Sequence, residues 1–331
     1  AFTLVLVLVF CAAALGADFA SRIELSSNTF NAGETLVLSW EIHNKGDEIE
    51  HMLAWNTPFE GEWNSPMFSI VHENGERAEY QGRIMKRATP TLENFASIHP
   101  GTFKSGELVL SEGFKFYTAG KYFVTLHTAV IPINGDSEVL SSNLVSFEVV
   151  TPHERDITFI PPNASVNYNG CSSTEQSTVK TAISNAVSAS QNALNYLIKN
   201  SCTSTYVEWF GTVSTTNWNK ITQDFTNIHS LLASNNFGID CTCNQPGVYA
   251  YVYPTDPRHT IHLCPVFWTA TTNKYQFNSQ PGTLSHESSH FNDVAGTQDY
   301  QYGVTGCRSL AKSNPNTAVG NADSHEYFQE S

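Results

Sequence analysis

The sequence predicts two domains of different fold class, joined by a short linker. Residues 18–150 alternate between apolar and polar residues, and pairs such as Asn74-Gly75 mark turns between the alternating runs. After Cys171 the apolar residues recur at helical spacing instead. Alternation indicates half-buried strands, and a 3.6-residue period indicates amphipathic helices. We therefore expect an N-terminal all-β domain and a C-terminal α+β domain that is mostly helical.

The first domain, residues 18–150, is expected to be an immunoglobulin-like β-sandwich. Many short alternating runs, each bounded by turn residues, are typical of antiparallel sandwiches of this length. The range contains no cysteine. The sandwich would therefore lack the disulfide that joins the two sheets of antibody domains.

The start of the chain and the linker have sequences unlike either domain. Residues 1–17 are an apolar run ending in small residues, shorter than the ~20 residues of a comfortable membrane span. We interpret them as a signal peptide with a clipped start, and expect a secreted, extracellular protein that does not associate with membranes. Residues 151–166 are expected to be a linker, because Pro161-Pro162 interrupts regular structure. The linker also carries an N-glycosylation sequon at Asn163.

The composition narrows the class of protein. The chain of 331 residues has 40% hydrophobic and 15% charged residues and a formal net charge of −14. It contains no stripe of basic residues, so we expect no nucleic-acid partner. An even set of cysteines in the second domain predicts an oxidising compartment and up to three disulfides. These cysteines are Cys171, Cys202, Cys241, Cys243, Cys264 and Cys307.

The second domain, residues 167–331, has recognisable helices and one pair of strands. Apolar residues at helical spacing over 179–198 follow a capping-box pattern at 172–175. A second helix is predicted at about 217–233. Residues 247–253 and 260–264 are expected to form a strand pair.

The candidate catalytic motif is His286-Glu287-Ser288-Ser289-His290. On a helix, His286 and His290 project from one face about one turn apart, so both imidazoles can reach one metal ion. Glu287 then lies beside the metal, where it can act as general base and acid on an activated water. The motif indicates a zinc-dependent hydrolase with one zinc ion.

A catalytic zinc site needs a third protein ligand. Asp293 and Gly296 occupy the positions where a metzincin would have Gly and His, so that class is excluded. Asp299 follows the break at Gly296-Thr297, which lets the chain turn back toward the metal. The candidates are Asp293, Asp299, His325 and Glu326.

A family resemblance distinguishes among these candidates. The motif, followed by Gly296-Thr297-Gln298-Asp299 and Tyr302, resembles the signature of the aspzincin, or deuterolysin, metallopeptidases. The resemblance implies that Asp299 is the third zinc ligand. It also implies that Tyr302 stabilises the transition state, which its phenol can do by donating to the developing oxyanion.

The second domain is most similar to the peptidyl-Lys metalloendopeptidases of fungi. The resemblance extends from Tyr168 to Phe328 and includes segments around Trp209, Asp240 and Ala250. It implies cleavage on the amino side of lysine. It also implies disulfides Cys171–Cys241 and Cys243–Cys264, which leaves Cys202 and Cys307 as a possible third pair.

The same resemblance implies that Asp323 and Glu326 bind the substrate lysine. Residues three apart share a helix face, so two carboxylates can converge on one ammonium. A solvated acidic patch, or Glu326 as a zinc ligand, remains open as an alternative. We expect substitution of both acids to reduce lysine preference and to leave zinc binding intact.

The N-terminal half (residues 18–150) is expected to be a prodomain of a zymogen. It would assist folding and cover the cleft; a retained binding module is the alternative. Without a cysteine, its blocking contact must be steric or use a carboxylate or a histidine such as His153. No lysine occurs between Lys121 and Lys180, so a strictly lysine-specific enzyme cannot cut its own linker. Another protease, or a relaxed cut near residues 155–167, would release the catalytic half.

The sequence thus predicts a secreted zinc endopeptidase that acts on proteins or peptides containing lysine, with Glu287 as base. Two alternatives remain open. One is a broad-specificity deuterolysin-like peptidase, against which the Asp323 and Glu326 pair argues. The other is a secreted binding protein whose peptidase half is inactive, against which the intact motif argues.

Overall fold

A computed structural model describes residues 19–133, 138–155, 165–199 and 204–331. The strands are β1 (Phe19–Leu25), β2 (Thr29–Asn31), β3 (Val37–Asn44), β4 (Glu50–Leu53), β5 (Phe68–His72), β6 (Glu79–Tyr80), β7 (Ile84–Arg87), β8 (Phe95–Ile98), β9 (Phe103–Val109), β10 (Phe114–Lys115), β11 (Gly120–Val130), β12 (Glu138–Ser141), β13 (Val145–Thr151), β14 (Asn167–Asn169), β15 (Gly238–Asp240), β16 (Val248–Val252) and β17 (Thr260–Leu263). The helices are α1 (Leu110–Gly113), α2 (Ser173–Lys199), α3 (Ser204–Phe210), α4 (Thr215–Ser234), α5 (Gln280–His290), α6 (Gly303–Ser313), α7 (Pro315–Ala318) and α8 (Ala322–Glu330).

The N-terminal half is built from strands, as the alternating pattern predicts. One sheet has the order β1-β3-β9, and a second has the order β12-β11-β13-β2 with β5 also paired to β11. In β3 the residues alternate between buried and partly buried positions, which is the signature of a strand with one covered face. The expected β-rich class is therefore confirmed, whereas the immunoglobulin-like arrangement stays a prediction.

Aromatic side chains form much of the core of this half. Phe30, Phe116 and Phe147 meet edge to face, with ring centroids 5.1 to 6.4 Å apart. The ring of His153 packs on Phe30 and Phe116, and its Nδ1 lies 3.2 Å from the Phe116 carbonyl oxygen. His153 thus packs against the core of the N-terminal half, and these contacts do not support a role in blocking the catalytic cleft.

The C-terminal half (residues 167–331) is mostly helical, as expected. The predicted capping box begins α2: the Ser172 backbone N–H donates to Glu175 Oε2 at 2.7 Å, and Glu175 N–H donates to Ser172 Oγ at 3.3 Å. The second predicted helix is α4. Its N-terminus is capped by the Ser214 side chain, and Asn235 ends it in the left-handed conformation.

A five-stranded sheet lies against the catalytic helix and joins the two halves of the molecule. Its order is β14-β15-β17-β16-β7. The predicted strand pair is β16 and β17, which are antiparallel. The last strand, β7, comes from the N-terminal half and pairs antiparallel with β16, with Lys86 opposite Ala250. A strand of the first half therefore completes the sheet of the second.

Two of the expected disulfides are present. Cys171–Cys241 ties the start of α2 to the end of β15, and Cys243–Cys264 ties the following loop to the end of β17. The expected third pair is not formed, because Cys307 is a free, buried thiol that accepts a hydrogen bond from Asn321 Nδ2. Its suggested partner, Cys202, lies outside the described residues.

Two other sequence predictions also lie outside the described residues. They are the signal peptide at 1–17 and the glycosylation sequon at Asn163. None of the helices in the described part of the chain combines the length and apolarity that crossing a bilayer requires.

Candidate active site

The histidine motif lies on α5, a helix whose eleven residues are all buried. The Ser279 side chain caps its N-terminus by accepting from the Gly282 N–H at 2.9 Å, and Pro281 occupies the first turn. α5 packs on α2, α4 and α8 and lies under β16 and β7. At Gly282 an added Cβ would lie 2.1 Å from Glu330 Oε1, so glycine leaves room for the Glu330 carboxylate against α5. Helix α5 is thus held in position by helices on one side and by the sheet on the other.

Three of the predicted site residues come together at one point. His286 and His290 are fully buried, and Asp299 is 8% exposed. Asp299 Oδ1 lies 3.2 Å from His286 Nε2 and 3.7 Å from His290 Nε2. One ligand atom from each residue lies within 4.8 Å of the other two, a spacing that can hold one metal ion.

The turn after α5 brings Asp299 back to the helix. Gly296 has φ +62°, a left-handed conformation that glycine adopts without strain. The Thr297 N–H then donates to the Ser289 carbonyl at 3.1 Å, and the Thr297 carbonyl lies 2.9 Å from His290 Nδ1. A proton on Nδ1 that donates to this carbonyl leaves Nε2 of His290 free for a metal.

The rival ligands lie elsewhere. The Asp293 side chain is 71% exposed and pairs with His259. His325 Nε2 lies 3.2 Å from Asp224 Oδ2, on the far side of α8 among aromatic rings. Glu326 approaches Nδ1 of His286 rather than Nε2. Of the four candidates, only Asp299 therefore faces both histidines.

The three side chains fit a zinc ion chemically. His286 Nε2, His290 Nε2 and both oxygens of Asp299 are buried, and no described residue forms a hydrogen bond with them. Buried polar atoms of this kind are rare unless an ion or ligand satisfies them. Burial alone would lower the pKa of His286, but the negative charge of Asp299 raises it well above its usual value. The negative charge of Asp299 thus favours a cation at this point. Two imidazoles and a carboxylate are a ligand set that zinc accepts.

Glu287 has the environment of a general base. Its side chain is fully buried, and burial raises the pKa of its carboxyl to about 8. The positive groups His286 and Lys86 act against this rise, and the Lys86 backbone N–H also faces the carboxylate. A carboxyl group tuned toward neutral pH can exchange protons efficiently during hydrolysis.

Tyr302 lies at the same site, and a residue of the N-terminal half holds it. Asn56 Nδ2 donates to the Tyr302 hydroxyl at 2.8 Å and to the Asp299 carbonyl oxygen at 2.9 Å. The ring of Trp55 packs edge-on against the Tyr302 ring at 5.7 Å. Burial raises the pKa of Tyr302 well above its usual value, so the phenol keeps its proton.

Asp323 and Glu326 lie on α8 and converge on one cation, as their spacing predicts. That cation is Lys86 of strand β7. Its Nζ lies 2.6 Å from Glu326 Oε2 and 3.1 Å from Asp323 Oδ1. All three side chains are at most 3% exposed. The predicted lysine pocket therefore contains a lysine of the same chain.

Further groups complete this pocket. The Lys86 ammonium lies 3.4 Å from Asn278 Oδ1 and 5.2 and 5.9 Å from the ring centroids of Tyr249 and Tyr327. Burial, together with the charge of Glu326, raises the pKa of Glu330 well above its usual value, which favours the protonated form of this third acid. The pocket thus presents two carboxylates, an amide oxygen and two ring faces to one ammonium.

Charge compensation in the pocket is mutual. Burial alone would lower the pKa of the Lys86 ammonium, but the charges of Asp323 and Glu326 raise it well above its usual value. Burial would raise the pKa of Asp323, yet Lys86 holds it well below the usual range. The Lys86 ammonium and the Asp323 carboxylate thus stabilise each other's charged form.

The lysine pocket and the predicted metal site share one histidine. His286 Nδ1 lies 3.0 Å from Asp323 Oδ1 and 3.2 Å from Glu326 Oε2, which are the oxygens that contact Lys86. Metal-bound histidines commonly have a carboxylate against their second nitrogen, which orients the ring. The two pocket acids are therefore placed to position His286 as well as to bind lysine.

The sequence did not single out Lys86, Asn56 or Asn278. Lys86 gives no clear signal of burial, because it follows only two apolar residues, Ile84-Met85, and precedes Arg87. Asn56 and Asn278 both have positive φ, 59° and 60°, which a sequence does not reveal. Asn56 contacts Tyr302, and Asn278 contacts Lys86, so each of these hydrogen bonds joins residues that are far apart in the sequence.

Comparison with known proteins agrees with this geometry. The sequence model of the aspzincin family, described as lysine-specific metallo-endopeptidase, matches residues 195–330. An extracellular protease of Aeromonas hydrophila is 30% identical over 97% of this chain and 93% of its own length. A peptidyl-Lys metalloendopeptidase of Grifola frondosa is 35% identical over 87% of this chain and 86% of its own.

One solved structure is also similar. The zinc peptidase from Grifola frondosa is 43% identical and covers 48% of this chain and 96% of its own, with a TM-score of 0.46. Because the two full-length relatives match both halves of the chain, the likeness is not confined to the histidine motif. The chain belongs to the aspzincin family and is a zinc metalloendopeptidase.

Proposed function

We propose that this protein is a secreted endopeptidase that hydrolyses the peptide bond on the amino side of lysine. The observation that carries the proposal is the buried Lys86 ammonium, held between Asp323 and Glu326 beside the histidine motif. A pocket that already satisfies one lysine by charge and hydrogen bonding can accept a lysine from a substrate. Arginine fits less well, since its planar guanidinium needs five acceptors in a wider fork.

In this proposal His286, His290 and Asp299 hold the zinc. The metal would act as a Lewis acid that polarises the scissile carbonyl and activates water. Glu287 accepts a proton from the attacking water and delivers it to the leaving amine. If β7 follows the path of a substrate, the backbone nitrogen of Lys86 corresponds to the leaving nitrogen. Tyr302 donates its phenolic hydrogen to the oxyanion that develops on the carbonyl.

We further propose that the N-terminal half is the inhibitory prodomain of a zymogen. Strand β7 occupies the place of a substrate: it extends the catalytic sheet at β16 and inserts Lys86 into the lysine pocket. Extended peptides commonly bind by adding a strand to a sheet edge in this way. Asn56 adds a second restraint by binding the Tyr302 hydroxyl. We also propose that this half assists folding of the catalytic half, because its strand β7 pairs with β16 and completes the five-stranded sheet.

Secretion and the domain boundaries are part of the same proposal. Two disulfides in the C-terminal half agree with an oxidising compartment. A relative that matches nearly the whole chain is named an extracellular protease. We assign residues 18–150 to the prodomain, 151–166 to the linker and 167–331 to the catalytic domain.

A matched pair of peptides tests the proposed function. The peptides differ only in having Lys or Arg at one position, and the processed enzyme is assayed with and without a zinc chelator. We expect cleavage before Lys only, lost with the chelator and restored by zinc, and absent in Glu287→Gln. Equal cleavage of both peptides would indicate the broad-specificity alternative. No cleavage of either, with zinc bound, would indicate a binding protein with an inactive site.

A further inference from the structure

The residue before Lys86 also lies in a defined environment. Met85 is 4% exposed and packs in a small apolar cluster with Val248 and Cys264, against which Cys243 and Tyr251 also pack. In the sheet register Met85 is directly opposite Tyr251. Every neighbour of Met85 in this cluster belongs to the catalytic half.

The direction of the Met85 side chain separates this cluster from the lysine pocket. Successive side chains of a strand point to opposite faces of the sheet. Lys86 points toward α5 and α8, where its ammonium meets Asp323 and Glu326. Met85 therefore points to the other face, where the Cys243–Cys264 disulfide lies. The two side chains are recognised by different parts of the catalytic half.

The cluster is held in place by its own contacts. The Tyr251 ring stacks on the His262 ring of β17 at 4.4 Å with an interplanar angle of 2°. The disulfide fixes Cys243 against Cys264 at the end of β17. Val248 lies at the start of β16, where the register to β7 shifts between Val248 and Ala250. The ring stack and the disulfide lie wholly within the catalytic half and do not involve β7.

We propose that the catalytic half has an apolar subsite for the side chain that precedes the substrate lysine. It is formed by Val248, Tyr251 and the Cys243–Cys264 disulfide. This inference rests on the proposed function, in which β7 follows the path of a substrate. The enzyme therefore prefers peptides in which a large, flexible apolar residue such as Met or Leu precedes lysine. Glycine leaves the subsite unfilled, and Asp or Glu would place a charge against apolar surface and sulfur.

A peptide series tests the subsite. Peptides of one sequence carry Met, Leu, Ala, Gly or Asp before a single lysine, and kcat/KM is measured with the processed enzyme. We expect Met and Leu to exceed Gly by about tenfold, the usual effect of filling an apolar pocket, and Asp to be lowest. Equal values across the series would overturn the subsite while leaving lysine cleavage intact. Failure to cleave any peptide of the series would instead overturn the proposed function.

An enzyme variant assigns the preference to these residues. Val248→Ala enlarges the subsite, so the ratio of kcat/KM for Met over Gly should fall several-fold while the preference for Lys over Arg is kept. Val207→Ala is the matched control, because Val207 is 44% exposed on α3 and outside the cluster. Melting temperature and zinc content are measured for both variants. If Val248→Ala lowers kcat/KM by the same factor for every peptide, Val248 has only a structural role and the assignment of the subsite to it is overturned.

Discussion

Replacing Lys86 by alanine should give the full-length, unprocessed chain peptidase activity. We call the observed structure, in which Lys86 fills the lysine pocket, the closed arrangement. There Lys86, Asp323 and Glu326 have side-chain exposures of 1%, 3% and 0%. Removing one partner of a buried ion pair costs about 3–5 kcal/mol, because the remaining charges stay buried without compensation. That cost falls on the closed arrangement alone, since water hydrates the two carboxylates once β7 leaves the cleft.

The expected size of the effect follows from this energy. Each 1.4 kcal/mol changes an equilibrium tenfold, so the fraction of open molecules should rise by roughly two to four orders of magnitude. Hydrolysis of a lysine peptide by the full-length chain should rise in proportion until most molecules are open. The initial rate is measured while gel electrophoresis shows that the linker is intact.

Two controls accompany this assay. Lys45→Ala removes an exposed lysine from the same half and should leave the rate at the wild-type level. Lys86→Met keeps an unbranched stem without the charge and should activate in the same direction as Lys86→Ala. Folding is followed by melting temperature and zinc content. If the folded, zinc-loaded Lys86→Ala chain is as inactive as wild type, Lys86 does not inhibit as a substrate mimic.

Three further substitutions test individual residues of the site. Glu287→Gln should lower kcat by about two to four orders of magnitude with zinc content unchanged, because it removes the general base but no ligand; loss of zinc on metal analysis would contradict this role. Asp299→Asn should weaken zinc binding in a chelator competition, whereas Asp293→Asn, on the exposed part of the same loop, should not; equal zinc affinities in the two variants would exclude Asp299 as a ligand. Asp323→Asn should lower kcat/KM for lysine peptides by about tenfold to a hundredfold. It should also weaken zinc binding by about tenfold, because Asp323 Oδ1 lies 3.0 Å from His286 Nδ1; a wild-type zinc affinity would show that this contact does not orient the ring.

The sequence predicted best what depends on neighbouring residues. The spacing of His286 and His290, the capping box of α2 and the antiparallel pair β16–β17 each depend on a short stretch of chain. Their geometry follows from backbone periodicity alone. The Asp323 and Glu326 pair belongs to the same class, since both lie on one face of α8.

Long-range pairing could not be predicted in the same way. Strand β7 has only four residues, and its burial pattern does not alternate because both of its faces are covered. Lys86 meets Asp323 across 237 positions of sequence. Neither propensity nor period indicates which distant element such a strand joins.

The same limit applies to two other predictions, whose outcome depends on contacts between distant parts of the chain. His153 was considered as a blocking residue because of its chemistry, yet its ring packs on Phe30 and Phe116 of the N-terminal half. The zinc site and the lysine pocket were treated as independent, and substitution of both acids was expected to spare zinc. In the structure one histidine contacts Asp299 through Nε2 and Asp323 through Nδ1. Only three-dimensional packing reveals that shared contact.

In the proposed function, the pocket beside the histidine motif selects a lysine for cleavage at its amino side. The most direct measurement is to digest a denatured protein with the processed enzyme and to sequence every new N-terminus. We expect lysine at essentially all of them, and more often after Met or Leu than after Gly or Asp. New N-termini without a preference for lysine would contradict the role of Asp323 and Glu326 and the interpretation of Lys86 as a bound substrate mimic.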